Sequence, residues 1–353
     1  MAGANAMSAS APAPPQRLAA WDRSGRLARV VRSSLWRVLG RRLLAAVPVM
    51  WGVTFLTFLV MNVVPGNTAQ ALLGATATPA QVAALQAKLG LNKPFLTQYF
   101  DWLGKILQGN FGSSYSSHES VTSIMGAQLP VSFELIVYAF VISIGLAVPL
   151  ALLAVRRPNG IIDRFTMMFS MAGVSVANYV LAVVLVWVFA DVVQVFPAIG
   201  FVTIGTDFGE NLRSLTLPAV AVALPLLGFY TRLLRADLLE QLQQEDYVVT
   251  AAAKGVGPWR VIIRHALRNS LFGLITIVAL NFGTLLGAIV IIEQIFSLPG
   301  LGDGLIQALT NHDIPVIEGT VLIFALMTVG GNLVADMLYA ALDPRIRYGS
   351  ATD

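Results

Sequence analysis

SLTLPAVAVALPLLGFYT (214–231), RLLRADLLEQLQQEDYVVTAAAKGVGPWRVIIRHALR (232–268) and NSLFGLITIVALNFGTLLGAIVII (269–292) form an apolar run, a basic polar insert and a second apolar run. Neither flank carries an Asp, Glu, Lys or Arg. Each has the length, about 17–25 residues, that an α-helix needs to cross a bilayer. Lipid offers no partner for backbone N–H and C=O groups, so such runs cross as helices that satisfy their own backbones. The insert must return to water. The unit is two spans joined by an exposed loop.

The same alternation extends in both directions. Charge-free windows at 43–87, 135–155, 165–190, 214–231, 269–292 and 319–335 predict six transmembrane helices near 43–64, 132–155, 165–190, 214–234, 270–294 and 316–340. The chain is therefore expected to be an all-α integral membrane protein. Of its 353 residues 56% are hydrophobic and 12% charged, against about 25% charged in a soluble globule. With the N-terminus inside, the expected cytoplasmic segments hold 19 of the 23 Lys plus Arg, leaving Lys88, Lys93, Lys105 and Arg213 outside. Both termini are then cytoplasmic, and the net charge of +4 reports topology rather than nucleic-acid binding. The absence of cysteine excludes disulfides and thiol chemistry. Residues 1–20 read as disordered, and Trp21 to Arg42, with seven arginines, as a basic stretch along the membrane surface before the first span.

Within the insert, Asp246–Asn269 reads as two short helices and a hinge. Tyr247 to Lys254, including Thr250, offers a small-residue face at Ala251, Ala252 and Ala253 over which another backbone could pack. Gly255 supplies a left-handed stop. Val256 and Gly257 lead to Pro258, suited to a first helical position because its missing N–H would be unpaired there, and then to Trp259. Arg260, Arg264 and Arg268 recur every four residues as a basic stripe. A docking handle and a solvated loop both fit these residues.

On the opposite side, 65–130 forms an insertion with two helix signals. Thr78-Pro79-Ala80-Gln81 is a capping box with proline at the first position, for a helix ending at Leu89-Gly90. From Pro94, residues Phe95, Leu96, Tyr99, Phe100, Leu103, Ile106 and Leu107 keep helical spacing and are expected to cover the outer ends of the spans. The last external loop, Phe296-Ser297-Leu298-Pro299-Gly300-Leu301-Gly302, joins a forced turn to apolar residues. It reads either as a segment dipping back at membrane depth or as a plain surface turn.

No Walker A, HExxH or GxSxG pattern occurs, and His118, His265 and His312 are scattered, so no catalytic or metal site is expected. Ion-coupled carriers usually place carboxylates at mid-membrane. Here Glu134, Asp191, Glu293, Glu318 and Asp336 fall near predicted span ends, while the mid-span polar residues Asn178, Asn281 and Thr284 are uncharged. Such residues bridge helices or line a path. An ion-coupled secondary transporter remains the alternative to a pore driven from outside the chain.

Over about residues 38–348 the chain resembles the permease subunits of ATP-binding-cassette importers for dipeptides, oligopeptides and nickel, in particular the first of the two permeases in such systems. The motifs that carry this are Val64-Pro65-Gly66, Leu89-Gly90-Leu91-Asn92-Lys93-Pro94 with Gln98-Tyr99, Gly109-Asn110-Phe111-Gly112-Ser113-Ser114, Glu293 through Gly302, Asn332-Leu333-Val334-Ala335-Asp336, and Leu342-Asp343-Pro344-Arg345-Ile346-Arg347-Tyr348, in that order. The resemblance implies a type I importer permease fold over 41–348, preceded by a cytoplasmic extension (1–40) and followed by a tail (349–353). It further implies an extracytoplasmic insertion at 65–130 and a coupling segment at 236–269. Tyr247 and Thr250 to Trp259 would engage the ATPases, although the family's Glu-Ala-Ala triplet reads Val249-Thr250-Ala251 here and its later Leu-Pro reads Leu267-Arg268. Phe296 to Gly302 would reach toward a solute-binding protein, and Asn178, Asn281, Thr284 and Glu293 would line the translocation pathway. The implied partners are a second permease, two ATPase subunits carrying ATP and Mg, an extracytoplasmic binding protein and the lipid bilayer. The chain itself would bind no cofactor, perform no catalysis, and sit in a bacterial inner membrane.

Overall fold

Runs of apolar side chains with no charge to hold them in water become long helices in the computed structural model, which describes residues 23–63, 68–73, 77–245, 248, 250 and 253–342. Helix α1 (Arg23–Val63) is followed by three shorter ones, α2 (Thr68–Leu73), α3 (Pro79–Leu89) and α4 (Phe95–Leu107). Next come α5 (Val121–Arg156), α6 (Ile161–Ser175) and α7 (Asn178–Leu185), the last continuing as a π-helical stretch to Val192. After α8 (Phe208–Gln244), a single α-turn, α9 (Pro258–Val261), passes through a π-turn at Ile262–Ala266 into α10 (Leu267–Leu280). The chain closes with α11 (Phe282–Phe296), α12 (Leu301–Thr310) and α13 (Ile314–Leu342). Tyr247, Ala251 and Ala252, the 64–66 and 343–348 motif residues, residues 1–20 and the 349–353 tail lie outside the described residues.

Among the described residues, five helices are long and apolar enough to cross a membrane, or up to seven if two bent pairs count as spans. Three expectations change. The basic Arg23–Arg42 stretch is continuous with the first span in one 41-residue helix. The single helix expected over 165–190 is broken between Ser175 and Asn178, and its halves meet at 103°. The span expected at 270–294 is divided at Asn281 into α10 and α11, and α11 is bent by 76° from α12.

Helices α5 and α8 form the centre. Ala139, Ala147, Ala151 and Ala154 of α5 are fully buried, and such small residues let helices approach without a hydrophobic driving force between them. One core joins Leu135, Leu215, Val222, Ile289, Ile292 and Phe296, and a second joins Val155, Tyr230, Leu234, Leu238 and Leu274. Helix α6 lies against α8 so closely that a Cβ on Gly228 would stand 2.5 Å from the Ser170 carbonyl oxygen. An ion pair closes the same contact: both Arg235 Nε and Nη2 donate to the Asp163 carboxylate, 3% exposed, which also accepts from the Asn159 N–H.

The capping box forms as the sequence predicts, with Thr78 accepting from Gln81 N–H and Gly90 ending α3 in the left-handed region. Tyr99 of α4 is buried against Phe55 and Phe58 of α1, and its hydroxyl is 3.1 Å from Thr54 Oγ1. The aromatic stripe of α4 thus packs on α1, although Leu96, Phe100 and Leu107 stay exposed. Nearby, the Lys93 ammonium holds the Asp101 carboxyl below its ordinary range.

Candidate functional site

Two places gather the residues that the sequence singles out. The first is the corner between α11 and α12. A helix start leaves N–H groups without intrahelical partners, and Gly300, at the cap of α12, has no side chain to serve them. Glu293 does so instead. Its Oε2 accepts from the Gly302 N–H at 2.7 Å and the Asp303 N–H at 3.2 Å. Its Oε1 accepts from the Ser132 hydroxyl at 2.6 Å, and Ser132 Oγ accepts in turn from the Leu301 N–H at 2.8 Å. A carboxylate at a helix N-terminus also meets the positive end of the macrodipole. The clamp therefore ties α5, α11 and α12 together around one enclosed group.

Close approach is part of the design. A Cβ on Gly300 would lie 2.4 Å from the Glu293 carboxyl, and one on Gly302 2.5 Å from the Val290 Cα. Phe296, Leu298, Leu301 and Gly302 are buried while Ser297 and Pro299 are exposed. The apolar residues of the loop thus turn into protein, and its polar turn faces outward. Glu293, expected from the resemblance to line the pathway, is 0% exposed and its oxygens accept within the corner.

The other pathway candidates do not converge on it. Asn178 opens α7 just past the 103° break, and Asn281 stands at the α10–α11 junction. Thr284 is exposed and donates back to the Asn281 carbonyl oxygen. Among the described residues no hydrogen bond joins these groups to one another's side chains or to Glu293.

The second place is the hairpin after α8. Val248 is buried against Val261, with Leu242 and Val256 alongside. Lys254 N–H donates to the Thr250 carbonyl oxygen, and Gly255 then turns at φ 80° with nothing within 4 Å of a Cβ position. Gly257 caps α9 and Pro258 takes its first position. Ala253, Lys254, Gly255, Gly257, Pro258 and Trp259 are exposed, so the hinge presents an open edge. Two features were illegible in the sequence. The Arg156 guanidinium at the end of α5 sits 5.4 Å from the Trp259 ring centroid, a cation–π contact worth about 0.5–1 kcal/mol when exposed. The second helix is one α-turn and then a π-turn, and Trp259, Arg260, Ile263, Arg264 and Arg268 line an open groove beside it.

Residues 143–348, which include the hairpin and all of the corner but Ser132, match the inner membrane component of binding-protein-dependent transport systems, and residues 35–136 match the N-terminal part of such membrane components. The chain belongs to this permease family. Among its relatives, a putative peptide transport system permease protein of Brucella abortus is 37% identical over 308 residues, covering 87% of this chain and 98% of the relative. The oligopeptide transport system permease protein AppB of Bacillus subtilis is 35% identical over 311 residues, covering 87% and 98%. The di/tripeptide transport system permease protein DppB of Pseudomonas aeruginosa is 34% identical over 331 residues, covering 88% and 98%. In the permease, the 35–136 match ends within α5, just past Ser132, and the 143–348 match carries the Gly255 hairpin and Glu293. No group of His, Cys, Asp or Glu fit to hold a metal occurs among the described residues.

Proposed function

We propose that the chain is the pore-forming subunit of an ATP-driven importer that carries short peptides across a bacterial inner membrane. It would cross the membrane six times with both termini inside, beside a second, similar permease. Two ATPase subunits would grip Tyr247 and Thr250 to Trp259 from the cytoplasm, and a binding protein would meet the exposed Ser297 and Pro299 of the corner loop outside. ATP and Mg belong to the ATPases, and the chain supplies no catalytic group. The peptide assignment is supported by the relatives, whose names specify peptides, oligopeptides and di/tripeptides.

The observation that carries the mechanism is the exposed hinge at Gly255, a left-handed turn clear of neighbours and braced to α5 by Arg156 on Trp259. A partner that presses on this edge moves α5, α8 and α10 together, which would rock the helices around a pathway bordered by Asn178, Asn281 and Thr284. Replacing Gly255 by valine forces a β-branched residue into the left-handed region, where it is strained whatever the space. In proteoliposomes of the complete transporter, Gly255→Val should insert normally yet lose most peptide-stimulated ATP hydrolysis. Hydrolysis and uptake at the unmodified level would exclude the hinge as the point of coupling.

A further inference from the structure

Neither place above uses a cavity of about 1460 Å³ bounded by α1, α3, α4, the 110–118 segment and the α12–α13 corner. Two carboxylates stand at that corner, and their surroundings differ. Asp313 is saturated: it accepts from the hydroxyls of Ser114 and Ser116 and from the N–H groups of Tyr115 and Ser116. Glu318, on the first turns of α13, lines the cavity at 5% exposure, and its Oε1 has no hydrogen-bond partner among the described residues. The indole N–H of Trp102, which also lines the cavity, is likewise buried and has no hydrogen-bond partner among the described residues. A buried carboxylate is rarely left without a donor.

The rest of the lining carries three lysines, Lys88, Lys93 and Lys105, against one carboxylate, Asp101. Lys88 and Lys105 are exposed cavity residues in no ion pair among the described residues, whereas Lys93 is tied to Asp101. Tyr115 also lines the cavity. Burial, with the Glu318 and Asp313 carboxylates beside it, pushes its phenol up to about 12, so it stays neutral and adds no negative charge. The chamber is thus acidic where it is closed and basic where it is open.

We propose that this cavity binds a small zwitterion, with its protonated amine against Glu318 and its carboxylate toward Lys88 and Lys105. Trp102 and Phe58 provide an apolar wall beside the bound chain. The use of a dipeptide as probe rests on the peptide reading above, while the site lies within this subunit and does not depend on ATPase coupling. Its test therefore uses the full chain in lipid nanodiscs without partners, and failure there is distinct from failure of the hinge at Gly255. Isothermal titration with alanyl-alanine should give saturable binding to the unmodified chain. N-acetyl-alanyl-alanine, which lacks the ammonium, should bind at least tenfold more weakly, as should alanyl-alanine to Glu318→Gln. Lys88→Gln with Lys105→Gln should weaken alanyl-alanine but leave alanyl-alanine amide unchanged. Absence of saturable binding by the dipeptide overturns the proposal. So does equal affinity for the acetylated probe, a comparison that needs no variant and is independent of any folding defect.

Discussion

Glu293 is a carboxylate enclosed at a helix corner, and what it does is set by what surrounds it. Three donors converge on it, from Ser132, Gly302 and Asp303. Glu293→Ala would leave all three without their acceptor, at about 1–3 kcal/mol for each buried group. The expected result is a corner that opens: thermal unfolding in detergent at lower temperature, with new protease cleavage in 297–300. Glu293→Gln retains the shape and one acceptor oxygen and should lose less. Gly302→Ala should resemble the alanine variant, because its Cβ meets the backbone of Val290 rather than a side chain that can yield. Unchanged cleavage in both Glu293→Ala and Gly302→Ala would show that the corner is held by something else.

Among the elements, the α6–α8 contact concentrates two unlike interactions. Gly228 permits the approach, and Asp163 with Arg235 locks it through a bidentate pair, the geometry in which guanidinium and carboxylate bind best. Breaking a fully buried pair costs about 3–5 kcal/mol, and this one less, because the Arg235 side chain is 19% exposed. Asp163→Asn should therefore destabilise the chain more than Arg235→Lys, which keeps the charge but loses the fork, and Gly228→Leu should separate the helices outright. Cysteine cross-linking between α6 and α8 would report the separation. Undiminished cross-linking in Gly228→Leu would refute the close-packing account. Locally encoded features of these elements were legible in the sequence. Thr78 and Gln81 cap α3, Gly90 ends it, and Gly255 and Pro258 bound the hinge, each through residues within a few positions. The break between Ser175 and Asn178 was not, because apolar composition continues across it and no proline or glycine marks it. Nor was the role of Glu293, whose partner Ser132 lies 161 positions away.

Across the whole molecule, charge-free windows were enough to find long apolar helices, since burial in lipid is a property of runs rather than of contacts. How runs divide is decided by packing, which is why α11 turns at Phe296 to place α12 against α5 and α13. Helix α8 extends ten residues beyond the span predicted to end at 234, and its apolar side remains in the second core through Leu238. It therefore links the membrane-crossing part to the hairpin as one rigid rod. A prediction at this scale concerns the π-turn at Ile262–Ala266. In an α-helix a spacing of four residues drifts by about 40° per step. A π-turn holds more residues and drives the drift backward, so Arg260, Arg264 and Arg268 return to one groove. Deleting Ile263, which is 51% exposed, would restore α-geometry at little loss of core. It would also draw the hinge in by about 1.5 Å and swing it by about 100° about the axis of α10. The angular phase of everything before Pro258 relative to α10 thus hangs on one surplus residue, a gear tooth that fixes which way Gly255 faces.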